Sequence, residues 1–334
     1  MRNIITADPD IQNYLNENNI ADAVKTLLQK QKKNWNALAE GYRSLEKIEN
    51  KTFPFNGFKI EAQHNPGRIT SSSAKVDSDS VKNRKCFLCR ENLPEEQEGI
   101  LYNNEFIILC NPFPIFPEHF TVSYIKHTPQ EIKNSFGSLL MLSKDLSKHY
   151  TVFYNGPECG ASAPDHLHFQ AGTKNFMPLD KEFDLVKKEY GEILSEGKNL
   201  TACIIDDGLR RFISFESNET TALKNSFENF YEIYSGITAN KKEPMMNILA
   251  YYEKSAGWRI IIFLREKHRP SFYFEKGESN FLWSPAAVDL GGICIIPLEK
   301  DFKKISKEIL ITGFNQITIS QEKFSFIKEK LRKL

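Results

Sequence analysis

The sequence predicts an α+β fold, an antiparallel sheet with flanking helices, and three observations carry that expectation. Short runs of β-branched and aromatic residues recur between tight turns, and helical stretches fall among them without strict alternation. The 25 Phe and 12 Tyr supply broad, rigid apolar faces of the kind sheets bury. A length of 334 residues accommodates one large domain or two ordinary ones.

Taken in order, Leu15, Ile20, Ala23, Val24, Leu27, Leu28, Trp35, Leu38, Tyr42 and Leu45 recur at helical spacing, so residues 1–50 read as an N-terminal helical segment. Phe53, Phe55, Phe58 and Ile60 alternate around Asn56-Gly57, a hairpin signal. Residues 64–85 are polar and Ser-rich, which on composition reads as a surface loop. Strands follow at 105–110, 119–126, 151–155 and 166–173, with a helix over 129–149 opened by Thr128-Pro129. A helix near 181–195 precedes strands at 201–205 and 209–217, and another spans about 219–235. Strands at 246–253, 258–265 and 291–297 come next, and two amphipathic helices, near 298–309 and 319–332, close the chain. HFTVSYIKH (119–127) and WRIIIFLREKH (258–268) echo one another, which suggests a duplicated half-domain.

Lys and Arg total 44 against 43 Asp and Glu, so no global cationic footprint for nucleic acid or anionic membrane exists; a local anion pocket stays open. No apolar run is long enough to span a bilayer. The first residues lack an apolar signal core and carry Asp8 and Asp10, so a reducing cytoplasm is the expected compartment, with the six cysteines expected as thiols or metal ligands.

The chemistry concentrates in FYNGPECGASAPDHLHFQAG, residues 153–172. In a strand, residues two apart share a face, so His166, His168 and Gln170 project together while Leu167, Phe169 and Ala171 project oppositely. Two imidazoles and an amide are poor core filling, since each buried polar group needs a partner. The small residues Gly156, Gly160, Ala161 and Ser162 just upstream form a turn that phosphate could approach closely. The bland alternative is an exposed polar strand face.

The run G-A-S-x-P-x-H-x-H-x-Q resembles the signature of the histidine-triad (HIT-like) transferase branch. That branch includes galactose-1-phosphate uridylyltransferase, diadenosine tetraphosphate phosphorylase and the GDP-hexose phosphorylases, and HLHFQA is most similar to the last of these. NPFPIFPEHFTVSYIKH (111–127) resembles the strand-turn-strand before their motif. The resemblance implies a HIT-like antiparallel sheet, with two related half-domains forming one extended sheet. The catalytic one would span 51–200 and its C-terminal counterpart 201–334.

The resemblance also implies roles. His168 is the nucleophile that briefly carries a nucleoside monophosphate. The backbone carbonyl of His166 orients its ring, and Gln170 holds a nonbridging phosphoryl oxygen. Asn155, Gly156, Gly160, Ser162 and Asn111 belong to substrate and phosphate binding, and Arg68 reaches the phosphates. A neutral imidazole is a competent nucleophile near pH 7. A glutamine amide donates hydrogen bonds but moves no protons, which favours phosphate leaving groups and phosphorolysis over hydrolysis. The expected partners are a nucleotide substrate and inorganic phosphate, with no organic cofactor. Relatives are both monomers and homodimers. The rival readings are a HIT-type nucleotide-conjugate hydrolase and a non-enzymatic nucleotide-binding protein.

Cys86 and Cys89 stand at C-x-x-C spacing, open to zinc, to a redox dithiol or to two buried thiols. The resemblance supplies distant partners, His127 and His166, for a structural zinc, with His119 a second choice for the third ligand but expected to be structural. Arg265 and Lys267 are secondary phosphate-facing candidates; His64, His149 and His268 carry no assigned role.

Overall fold

In the computed structural model, which describes residues 4–73, 76–197, 199–238 and 243–332, the N-terminal periodicity becomes three helices. These are α1 (Pro9–Asn16), α2 (Ile20–Asn34) and α3 (Asn36–Ser44). Side-chain oxygens of Asp8 and Asn19 accept first-turn amides of α1 and α2, so each helix has its own start. Strands β1 (Glu49–Phe55) and β2 (Phe58–His64) form the expected hairpin, with Gly57 at φ +73° in its turn. The polar segment after it holds two short helices, α4 (Ile69–Ser72) and α5 (Ser78–Lys82). Ala74 and Lys75 of that segment, and Lys333 at the chain's end, lie outside the described residues.

Two sets of strands follow. The first is β3 (Gly99–Tyr102), β4 (Phe106–Cys110), β5 (His119–Tyr124), helix α6 (Phe136–Asp145), β6 (Tyr150–Asn155) and β7 (His168–Thr173). Helix α7 (Pro178–Tyr190) leads to the second: β8 (Gly191–Glu196), β9 (Thr201–Asp206), β10 (Arg211–Ser217), helix α8 (Thr220–Ile237), β11 (Met246–Glu253) and β12 (Gly257–Leu264). Beyond them come α9 (Ala287–Leu290), β13 (Ile293–Ile296), α10 (Glu299–Lys304), α11 (Lys307–Ile317) and α12 (Gln321–Leu331).

All ten strands β3 to β12 make one antiparallel sheet, ordered β3-β4-β5-β7-β6-β11-β12-β10-β9-β8. On either side of the central β6–β11 pair the chain follows one order: three outer strands, a helix, then two inner strands. In that repeat β7 answers to β12 and β5 to β10. The sequence echo is therefore a coincidence of composition, because HFTVSYIKH lies on β5 and WRIIIFLREKH on β12, which are not counterparts.

The sheet buries both faces. Val152 and Tyr154 of β6 pack with α2, α3, α6, α8 and α12, whereas Phe153 between them packs with β2, α7, β13 and α11. The second layer includes the small sheet β1-β2-β13, in which β2 and β13 run parallel. Among the described residues, no helix is long and apolar enough to cross a membrane.

Four expectations need correction. The helix expected over 129–149 covers only Phe136–Asp145, because backbone donors before it bond outside the segment, Gln130 N to the Pro164 carbonyl and Ile132 N to the Glu243 carboxylate. The helix near 181–195 covers Pro178–Tyr190, and 191–196 form the edge strand β8, where Gly191 packs against the Lys187 carbonyl and Cys203. The C-terminal region has three helices, since Ser306 is extended and caps α11 through Ile309 N. Strand β7 starts at His168, so His166 lies outside it.

Candidate active site

Strand β7 carries Phe169 and Ala171 into the helical layer and presents His168 and Gln170 on the other face, as the two-residue period requires. That face opens into a cleft of about 690 Å³ lined by His168, Gln170, Asn155, Gly160, Ser162, Arg68 and Asn111. Neither Gly156 nor His166 is among its described lining residues.

His168 is only 6% exposed. Its Nδ1 lies 2.8 Å from the His166 carbonyl, and a carbonyl only accepts, so Nδ1 carries the proton and Nε2 keeps its lone pair. Burial pushes its pKa down to about 4, the His166 carbonyl bond opposing, which leaves the ring neutral at physiological pH.

The ring's backbone is held by a residue the motif did not reveal. Gln130, fully buried, accepts from His168 N at 2.8 Å through Oε1, and its Nε2 donates to the His168 carbonyl at 3.0 Å and the Asn155 carbonyl at 2.8 Å. Strands β6 and β7 pair from Tyr150–Thr173 to Phe153–Gln170; beyond that the Gln130 amide bridges them. Thr128-Pro129-Gln130-Glu131 reads as a helix start, which hid this role.

His119 sets the orientation of Gln170. Ile115 N donates to His119 Nδ1 at 3.3 Å, so His119 Nε2 carries hydrogen and donates to Gln170 Oε1 at 3.0 Å. The Gln170 oxygen is thereby engaged, and its NH2 is the group available to a phosphoryl oxygen. Burial, helped by the Arg68 charge, lowers the His119 pKa to about 3. Tyr42 fastens the same strand start, bonding both His119 N and O.

The turn before β7 is built for close approach. Gly160 sits at φ +93°, where a Cβ would come within 2.6 Å of Ala286 Cβ. Gly156 N donates to Met246 O, tying the turn to β11. Asn155 Oδ1 accepts from Asn247 Nδ2 and Ala287 N, both at 2.8 Å. Asn111 is occupied, accepting from Phe113 N in its own loop and donating to Thr121 Oγ1 of β5. Arg68 donates to the Phe113 carbonyl at 2.7 Å while its buried Nε has no partner. Burial lowers its pKa to about 10, so it stays cationic at neutral pH.

His166 turns away from the cleft toward Cys86, Cys89 and His127, and one ligand atom from each of the four lies within 4.8 Å of the others. Its Nε2 donates to the Tyr124 carbonyl at 2.8 Å, leaving the Nδ1 lone pair aimed at Cys86 Sγ, 3.3 Å away. His127 Nδ1 is 3.2 Å from Cys89 Sγ, and its Nε2 is 3.6 Å from Asp165. Two thiols and two imidazoles whose outer nitrogens face a carbonyl and a carboxylate suit a metal ion. His119 stands with Gln170 and not in this cluster.

In the second half, Arg265 is buried and bonds backbone carbonyls, and Lys267 does not line the cleft, so neither faces phosphate from there. His268 and Arg269 do line it. His149 pairs with Asp22, and His64 stacks on Phe302.

The fold is shared with a solved dinucleotide phosphorylase structure from yeast. Yeast Ap4A phosphorylase Apa2 superposes with TM-score 0.53 at 12% identity, covering 85% of this chain and 94% of that one. The same enzyme in complex with Ap4A gives TM-score 0.54 at 14% identity over 88% and 97%. A family described as "Domain of unknown function (DUF4922)" matches residues 27–173. Galactose-1-phosphate uridylyltransferase of Bacillus subtilis (strain 168) is 27% identical over 119 residues, 31% of this chain and 23% of that enzyme. The match thus spans under a quarter of that curated relative.

Proposed function

We propose that this protein is a phosphorylase-type nucleotidyltransferase that passes a nucleoside monophosphate through His168. The observation that carries the reading is the His168 ring itself, neutral, with Nδ1 anchored on the His166 carbonyl and Nε2 left as the nucleophilic nitrogen in a lined cleft. The substrate is a nucleoside diphosphate sugar or a dinucleoside polyphosphate, the second class being what the yeast neighbour's name describes.

In the first step the Nε2 lone pair forms a bond to the α-phosphorus, and the bridging P–O bond breaks with its electron pair leaving on the departing phosphate. Inorganic phosphate then attacks the α-phosphorus, the P–N bond breaks, and its electron pair returns to Nε2 as nucleoside diphosphate forms. Gln170 NH2, oriented by His119, donates to a nonbridging oxygen. Arg68 and the turn around Gly160 and Ser162 hold the remaining charge. Leaving oxygens that already belong to phosphate need little protonation, which agrees with an amide at position 170.

Cys86, Cys89, His127 and His166 would hold a structural Zn2+, which supplies rigidity at the base of the strand bearing His168. His166 thereby takes part in both arrangements, by its side chain toward the metal and by its carbonyl toward the nucleophile.

Substrates labelled at the α-phosphorus test the proposal. Label is expected on denatured wild-type protein and absent from His168→Ala, and turnover is expected to require inorganic phosphate. Equal labelling of both proteins sinks the covalent route, and turnover without phosphate replaces phosphorolysis by hydrolysis.

A further inference from the structure

The cleft has a wall that the histidine motif does not supply. His268, Arg269, Ser284 and Ala286, all from the second half of the chain, line it together with His168 and Ser162. Their placement is anchored. The Arg265 guanidinium donates to Asn247 Oδ1 at 2.7 Å and to the carbonyls of Pro285, Lys267 and His268 at 3.1, 3.1 and 2.8 Å. Asn247 in turn donates to Asn155 Oδ1 and to the Cys159 carbonyl. One hydrogen-bonded chain therefore ties the 267–268 and 285 segments to the phosphate turn, against which Ala286 packs at Gly160.

The exposed chemistry of this wall suits an anion. His268 Nε2 is buried and has no partner. Burial, with the charges of Arg269 and Arg265, holds that imidazole neutral, its pKa lowered to about 3, so in the tautomer with hydrogen on Nε2 it donates to an anion without carrying charge. Arg269 donates through Nε to Ser284 Oγ at 2.9 Å, and its guanidinium lies 4.2 Å over the Tyr273 ring, which fixes the direction of its charge. Among the described lining residues Asp289 is the one carboxylate, and its oxygens already accept from Trp283 Nε1, Ala286 N and Ile295 N. Elsewhere the lining is mixed, with Trp35, Leu88, Leu109 and Phe113 forming an apolar part suited to a nucleobase and Arg68 and Arg84 adding charge on the first-half side. A nucleotide conjugate has one base and at least two phosphates. The apolar part takes the base, the Gly160–Ser162 turn takes the phosphate beside His168, and the second-half wall is left for the next phosphate.

We propose that His268 and Arg269 form a second anion subsite that binds the phosphate departing from the α-phosphorus, and later the incoming inorganic phosphate. The proposal rests on the nucleotidyltransferase reading and assigns that site its leaving-group end.

Calorimetric titration with nucleoside mono- and diphosphates of adenine and guanine tests it without turnover. Wild-type protein is expected to bind the diphosphate of its preferred base about tenfold more tightly than the monophosphate, the size of one charge-assisted contact. In His268→Gln and in Arg269→Gln that preference falls to within about twofold while monophosphate affinity is kept, and Arg269→Lys restores part of it. Variants that keep the wild-type preference, or lose mono- and diphosphate binding equally, overturn the subsite. If wild-type protein binds no nucleotide and carries no label on His168, the failure belongs to the nucleotidyltransferase reading, and the subsite falls with it.

Discussion

Replacing Gln130 by Ala isolates what holds the nucleophile in place. The substitution leaves three buried backbone groups without their partner, the amide of His168 and the carbonyls of His168 and Asn155. Each unsatisfied group costs ~1–3 kcal/mol, so the three together cost roughly 3–9 kcal/mol before an entering water recovers part of it. Against a total stability on the order of 5–15 kcal/mol the protein should still fold in the cold. The strand end that carries His168 loses its link to β6, and a shift on the order of 1 Å at the nucleophile slows labelling about 100-fold. Gln130→Glu separates the parts, because a carboxylate still accepts from His168 N but meets two carbonyls with no hydrogen to give. Urea denaturation measures the stability and single-turnover labelling at the α-phosphorus measures the chemistry, both below the unfolding range. Should Gln130→Ala unfold within about 1 kcal/mol of wild type and label at the wild-type rate, the bridge has no such role.

Three other outcomes follow from the same geometry. Gly160→Ala forces a Cβ into Ala286 at a φ that favours glycine, so it should cost about 2–4 kcal/mol and abolish nucleotide binding, read by denaturation and calorimetry. His119, with its pKa lowered to about 3, contributes stability that is complete above pH 6.5 and lost as pH falls; between pH 7 and 5 wild type should lose about 2 kcal/mol more than His119→Gln, and equal losses would contradict the neutral-ring assignment. Purified protein should contain about one zinc per chain, and chelation should lower its melting midpoint but not that of a Cys86→Ser/Cys89→Ser double variant, already lower. Metal-free protein with an unchanged midpoint counts against a structural metal.

Local pattern determined a good deal of this protein. The two-residue period of β7 places His168 and Gln170 on one face, Asn56-Gly57 marks a hairpin, and the long runs of β11 and β12 read as strands because they are buried on both sides. Of the cysteine–histidine cluster, Cys86 and Cys89 were legible from their C-x-x-C spacing, while His127 and His166 came only through resemblance, since their separation along the chain carries no signal. What only tertiary structure decided are the pairings that cross it. Gln130 looks like a helical first-turn residue until two strands diverge and leave backbone groups for its amide to satisfy. His119 selects the orientation of Gln170 from the neighbouring strand. His268 and Arg269 reach the cleft because a buried Arg265 gathers loop carbonyls around itself. Periodicity reports which way a side chain points along its own element; which polar groups it meets is set by the sheet order and by the requirement that buried donors and acceptors be paired.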